Sequence, residues 1–257
     1  MPEPCPGPGG DGRAGAVTMR RAVRRVVAWL VVTVVIVGLG GCAVPYPKST
    51  EGLAEFHRST AGPHTGIVLG DEVYYDLNTG NVVPLEIDAL PFGYSRSNVG
   101  HDDPRYYHIE GTQDWIYQYW KSTWSGASMS MLYRADIEMP SPERATQLCI
   151  TTGVFPRPGH KSRVLLTLKE PAMIHAAAQA LQSDGVPWHT LRLRSVGCFQ
   201  FRSPEYPGVA ISHPLHRDSL GQYYLFRVDF SDIPPQFLAC PLDGELSRAI
   251  HETLLSR

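Results

Sequence analysis

Two short groups of histidine and aspartate residues could take part in chemistry. His213 and His216, with Asp218 close behind, are ligand types that zinc sites use. Pro214 excludes a regular helix at this spacing, and no third histidine stands close in the sequence. The simpler interpretation is a pair of loop histidines, so the sequence predicts neither a metal site nor a cofactor.

The second group is His101, Asp102 and Asp103, directly before Pro104. Adjacent carboxylates beside a histidine could serve acid–base chemistry or hold a cation, but aspartates before a proline are equally typical of a turn. The chain contains no G-x-S-x-G, H-E-x-x-H or P-loop motif. Because triads built from distant residues leave no local motif, a hydrolase with a dispersed site stays as the alternative to a non-catalytic protein.

An aromatic strand is the most promising interaction surface in the sequence. The segments 115–124 and 127–137 are predicted to be antiparallel strands, joined by a two-residue turn at Ser125-Gly126. That turn would place three aromatic side chains and one arginine, types that interfaces favour, on one polar face. The candidate binding surface consists of Trp115, Tyr117, Tyr119 and Arg134. The alternative is that a helix covers this face and the rings belong to the core.

The first 42 residues have the organisation of a secretory signal. Residues 1–18 are rich in proline and glycine, which predicts a disordered extension or a true start at Met19. Four arginines at positions 20, 21, 24 and 25 precede an uncharged apolar run over 26–39. This run of 14 residues is shorter than the roughly 20 that a membrane-spanning helix needs. Residues 19–41 are therefore predicted to be a signal peptide.

The end of this segment, Leu39-Gly40-Gly41-Cys42, resembles the lipobox of bacterial lipoproteins. The resemblance covers residues 20–42 only. It implies that the Cys42 thiol carries a diacylglyceryl group, that a peptidase cuts before Cys42, and that the new N-terminus is acylated. Residues 42–48 would then tether an extracytoplasmic domain to a membrane of the cell envelope. Ala43 favours the outer membrane if the host has two membranes.

Charge and cysteine content narrow the class of partner. Of the chain's 23 basic and 25 acidic residues, five arginines and two acids lie in residues 1–42, which leaves 18 basic and 23 acidic residues. This acidic balance argues against nucleic acid as a partner. An oxidising compartment would allow one disulfide among Cys149, Cys198 and Cys240. All three pairings are open, and Cys198–Cys240 is favoured because both residues lie near predicted strand ends.

The remaining chain, residues 49–257, is predicted to form one domain of the α+β class, mostly antiparallel β-sheet with two or three helices. The predicted helices cover 49–58, 171–182 and 242–255, and strand patterns dominate elsewhere. The resulting functional hypothesis is a lipid-anchored, non-catalytic module that binds an envelope protein or a cell-wall component. The alternatives are an envelope hydrolase and an immunity lipoprotein that neutralises a secreted toxin.

Overall fold

Two β-sheets and two α-helices make up the described part of the chain. A computed structural model describes residues 49–59, 66–76, 81–96, 102–122, 126–134, 136–153, 158–229 and 235–255. Residues 47–257 belong to one compact unit. The predicted predominance of antiparallel sheet with two helices is confirmed. No helix in the described ranges is long and apolar enough to cross a membrane.

Nine strands lie in the first part of the described chain. They are β1 (Ala54–Glu55), β2 (His57–Ser59), β3 (Gly66–Leu69), β4 (Glu72–Asp76), β5 (Val82–Pro84), β6 (Gly93–Tyr94), β7 (Arg105–Ile109), β8 (Thr112–Ser122) and β9 (Gly126–Arg134). All except β5 form one sheet of eight strands in the order β1-β6-β7-β8-β9-β4-β3-β2.

This first sheet closes into a barrel. β1 and β2 stand at opposite ends of the strand order, yet only Phe56 separates them in the chain. The Phe56 amide donates to the Tyr94 carbonyl at 2.7 Å on one side, while β2 pairs with β3 on the other. With Ala54–Ser59 counted as one strand, the eight become a ring of seven. This one segment thus pairs with both ends of the described sheet, β6 on one side and β3 on the other.

The barrel interior is filled by apolar and aromatic side chains. Phe56, Ile67, Tyr74, Tyr106, Ile116 and Leu132 form its buried cluster. The Phe56 and Tyr106 rings lie 4.4 Å apart, and the Tyr106 hydroxyl accepts from Gln118 Nε2 at 3.2 Å. The outward-facing side chains are the alternate residues of each strand, as the period of two requires.

The prediction of a helix over 49–58 is wrong, because this segment is the extended strand that closes the barrel. Its helical signal consisted of a capping residue and one apolar pair, Leu53 and Phe56, at i, i+3. Backbone pairing on both sides, together with the burial of Phe56 inside the barrel, outweighs that weak local preference.

The second sheet carries the two helices on one face. Besides β5, its strands are β10 (Gln147–Thr151), β11 (Val164–Leu168), β12 (Val186–Pro187), β13 (Arg194–Arg202), β14 (Val209–Arg217), β15 (Tyr223–Asp229) and β16 (Gln236–Pro241). Their order is β11-β10-β13-β14-β15-β16-β12, and β5 pairs with β14. The helices are α1 (Pro171–Gln182) and α2 (Gly244–Leu255). Their apolar faces pack on sheet residues such as Phe199, Leu215 and Leu225.

Candidate binding site

The predicted aromatic binding surface is buried. Trp115 is 2% exposed and Tyr117 is 1% exposed, and Tyr119 is half-buried. Their side chains pack on the outer wall of the barrel with Met131 and with Val209 of β14. Trp115 and Tyr117 therefore belong to a core and not to an open binding surface. The residues that cover them include Val82 of β5 and Val209 of β14, whereas the alternative expected a helix.

The register of the β8–β9 hairpin explains the error. A two-residue turn would have placed Trp115 opposite Asp136, whereas Trp115 faces Tyr133 and Ser122 faces Gly126. Three residues rather than two separate the paired ends of the strands. A shift by an odd number of positions transfers every side chain to the opposite face of its partner strand.

Arg134 consequently lies on the other side of the sheet from the three aromatic residues. It stands opposite Tyr74 in the register. Its guanidinium pairs with Asp114 at 3.1 Å and with Asp136 at 2.7 Å. The four candidate residues therefore do not form one surface.

The favoured disulfide is also absent. Cys149, Cys198 and Cys240 are all buried free thiols. β13, which carries Cys198, and β16, which carries Cys240, are separated by β14 and β15. Three strand spacings amount to about 14 Å, beyond the reach of a disulfide. Burial raises the pKa of Cys198 to about 11, and it also raises the pKa of Cys240.

The two histidines whose spacing resembles a zinc-ligand pair, His213 and His216, lie apart. His213 is buried, and its Nδ1–H donates to the Phe226 carbonyl at 3.0 Å. His216 packs edge-on against Trp188 at 4.4 Å. An odd separation along β14 puts the two rings on opposite faces, so they cannot share an ion. No group of three metal-binding side chains occurs within the described ranges.

The second group from the sequence is only partly described. Asp102 is exposed, and the Asp103 carbonyl accepts from Arg105 Nη1 at 2.9 Å. His101 and the lipidation candidate Cys42 lie outside the described residues.

A cavity at one end of the barrel is the best candidate site that the fold creates. It occupies about 750 Å³ where the β3–β4 and β7–β8 turns meet the segment before β6. Ligand sites of this size are common in the mouths of β-barrels. We call it the mouth cavity. Its side chains of interest are Glu72, Tyr74, Asp88, Phe92, His108 and Glu110.

One wall of the mouth cavity is a flat pair of rings. Phe92 and His108 stack with their centroids 3.8 Å apart and their planes 12° from parallel. Phe92 is half-buried and His108 is exposed. The pair is held in place by backbone pairing, since the Phe92 amide donates to the Tyr106 carbonyl at 2.9 Å. The rings therefore present a fixed aromatic surface to the cavity.

The charge of the mouth cavity is negative. Glu72, Asp88 and Glu110 are among the described residues that line it, and neither lysine nor arginine is. The Tyr74 hydroxyl donates to Glu72 Oε2 at 2.8 Å. Burial, followed by this hydrogen bond, raises the pKa of Tyr74, so that its hydroxyl stays neutral and keeps donating.

A second carboxylate contact lies at the rim of the mouth cavity. A hydrogen bond in which the Glu110 carboxyl donates to the neighbouring Glu86 raises the pKa of Glu110. The same contact, followed by the hydrogen bond from Lys161, lowers the pKa of Glu86. Two neighbouring carboxyl groups whose pKa values are pushed apart in this way indicate a concentration of negative charge. Lys161 Nζ pairs with Glu86 and lies 4.0 Å from Glu110 Oε2. The negative charge that favours a cationic ligand group here is therefore mainly that of Glu72 and Asp88, which have no ion pair in the described structure.

Comparison with family models, with curated proteins and with solved structures finds no match to this chain. The function therefore has to be argued from the residues themselves. The mouth cavity was not predicted from the sequence, because residues 88–104 have the composition of a loop and β7 was not predicted. The alternation of Tyr106 and His108 before the Glu110-Gly111 turn was the available signal.

Proposed function

We propose that this chain is a lipid-anchored cell-envelope protein and that its barrel is a non-catalytic binding module. Its ligand is a small, amine-bearing component of the cell wall, which binds in the mouth cavity. The observation that carries the proposal is the stacked Phe92–His108 pair beside three carboxylates with no lining cation.

The chemistry of the cavity supports an amine. An ammonium group is attracted both by carboxylates and by the face of an aromatic ring. Glu72, Asp88 and Glu110 supply the carboxylates, and the stacked Phe92–His108 pair supplies the aromatic surface. Tyr74 and Gln113 add hydrogen-bonding groups that can orient a hydroxylated ligand. A cavity of about 750 Å³ has room for a monosaccharide or a short peptide.

The lipobox resemblance supports the location. Cys42 stands only a few residues before the first described residue, Ser49. A lipid at Cys42 would thus hold the barrel close to the membrane surface, within reach of wall components.

Amine binding is tested by titration calorimetry on the mature protein in neutral detergent micelles. The probes are glucosamine, compared with N-acetylglucosamine, and cadaverine, compared with N,N′-diacetylcadaverine. We expect the amines to bind and acetylation to abolish binding, since it removes the positive charge. Asp88→Asn combined with Glu72→Gln should weaken amine binding by about tenfold or more.

Glu252→Gln is the matched control, because Glu252 is an exposed carboxylate on α2. It should leave the affinity unchanged. Equal binding of amines and their acetylated forms, or no binding of any amine, would overturn the proposed ligand class.

Lipid anchoring has a separate test. Cys42→Ala should accumulate as an uncleaved precursor without added acyl mass, because the thiol is the expected attachment atom. Intact-protein mass spectrometry of the membrane fraction measures this. Cys198→Ala, which removes a buried thiol of β13, should be processed and acylated normally. A processed and acylated Cys42→Ala protein would refute the anchor.

A further inference from the structure

Three arginines converge at the end of the β13–β14 hairpin. Arg192, Arg194 and Arg217 line a cleft of about 990 Å³ on the second sheet, which we call the arginine cleft. The arginine cleft shares no lining residue with the mouth cavity. Its positive charge contrasts with the acidic balance of the chain after residue 42.

Two of these arginines oppose each other directly. Arg194 of β13 and Arg217 of β14 are register partners. Like charges at directly paired positions destabilise a sheet. A β-bulge at Ser195–Gly197 follows at once on β13. β-Bulges change the direction in which side chains point and are common next to active sites.

No carboxylate neutralises the arginine cleft among the described residues. The ion pairs there include none that involves Arg192, Arg194 or Arg217. The one acid of the lining, Asp218, is already engaged. Its carboxylate accepts from the Leu220 and Gln222 amides, both at 2.9 Å, and from the Tyr224 hydroxyl at 3.2 Å.

Arg217 is held rigidly but is incompletely bonded. Its guanidinium carbon lies 5.6 Å from the centroid of the Tyr223 ring, a cation–π contact. Its Nε is buried without a hydrogen-bond partner in the described structure. A buried unsatisfied donor carries a desolvation cost that a ligand acceptor would remove.

We infer that the arginine cleft binds a phosphoryl group. Guanidinium groups match phosphate oxygens with paired N–H donors, and a phosphoryl group offers two facing arginines more acceptor oxygens than a carboxylate does. The group could belong to a soluble phosphate ester or to an anionic phospholipid headgroup. Both ligands offer the same phosphoryl oxygens to the arginines, and the binding test distinguishes between them.

The binding test uses calorimetry on the mature protein in neutral detergent micelles. Glycerol 3-phosphate should bind, while acetate at the same concentration should bind at least about tenfold more weakly. Arg194→Gln should weaken glycerol 3-phosphate binding by about tenfold or more. Arg194→Lys should bind glycerol 3-phosphate with an affinity between those of the wild type and Arg194→Gln, because lysine keeps the charge and loses the paired N–H donors.

Arg248→Gln is the matched control, since Arg248 is exposed on α2. It should bind glycerol 3-phosphate as the wild type does. Dihexanoyl phosphatidylglycerol, compared with dihexanoyl phosphatidylcholine, identifies the source. Preference for the former over glycerol 3-phosphate assigns a headgroup, and the reverse order assigns a soluble ester.

A thermal readout separates the ligand effect from general stability. Without phosphate, Arg194→Gln should melt above the wild type, because the repulsion with Arg217 is gone. Glycerol 3-phosphate should raise the melting temperature of the wild type and leave that of Arg194→Gln unchanged. Failure of both glycerol 3-phosphate and dihexanoyl phosphatidylglycerol to bind, or equal binding by wild type and Arg194→Gln, would overturn the inference.

Discussion

Replacing Gly93 with alanine should lower the free energy of unfolding by about 3 kcal/mol, the upper part of the range for overpacked cores. A Cβ at Gly93 would overlap the Phe56 ring and would lie 3.1 Å from the Ala54 carbonyl. Tyr106 at 4.4 Å and Phe92 at 5.5 Å pack against this ring and restrict its movement. The substitution therefore acts on the contact that closes the barrel. Urea unfolding followed by tryptophan fluorescence measures the loss.

Gly244→Ala is the matched control for this prediction. Gly244 begins α2, and nothing lies within 4 Å of the position that its Cβ would take. It should change stability by less than about 1 kcal/mol, in the stabilising direction expected for glycine to alanine in a helix. Phe56→Leu added to Gly93→Ala should recover part of the loss, because the smaller side chain makes room. If Gly93→Ala is as stable as Gly244→Ala, the barrel is not closed in this way.

The stability of the protein should fall as the pH drops from 7 to 5, and His213 should cause a large part of the fall. Burial lowers the pKa of His213. The hydrogen bond to the Phe226 carbonyl opposes this shift, and Arg227 adds to it. Below the pKa of an unfolded histidine, about 6.5, the unfolded state takes up a proton that the folded state does not. The contribution from His213 is then lost at up to about 1.4 kcal/mol per pH unit.

His213→Gln tests this directly, since glutamine can still donate to the Phe226 carbonyl but does not titrate. Its free energy of unfolding should depend less steeply on pH than that of the wild type over this range. His175→Gln, at an exposed position on α1, should keep the wild-type slope. The lowered pKa of the half-buried His216 leaves a residual slope of the same sign in both variants. Equal slopes for wild type and His213→Gln would contradict the assignment.

Some elements of the fold could be predicted from residues that lie close together in the chain. Pro171 at a helix start and the alanine-rich stretch after it predict α1 with the observed bounds, 171–182. The predominance of antiparallel sheet followed from many short alternating segments without βαβ spacing. The lipobox is equally local, and the lipid at Cys42 stays a prediction.

The pairing register of the strands could not be predicted from the sequence. Both arms of the β8–β9 hairpin were predicted near their observed places, but the strands pair three positions away from the predicted register. An error of one residue in the turn is enough to exchange the buried and exposed faces. That exchange moved Trp115 and Tyr117 from a supposed binding surface into a core. The turn residues alone do not fix the register, because packing of both faces decides it.

The sequence by itself determined the charge balance, α1 and the predominance of β-structure, since each rests on residues close together in the chain. The signal peptide and the lipobox resemblance are equally local and stay predictions. Only the tertiary structure decided that Ala54–Ser59 is a strand, that the first sheet closes, and that Phe92 meets His108 beside three carboxylates. These features join residues tens of positions apart. Their energies come from long-range pairing and burial, which short-range propensity and periodicity do not encode.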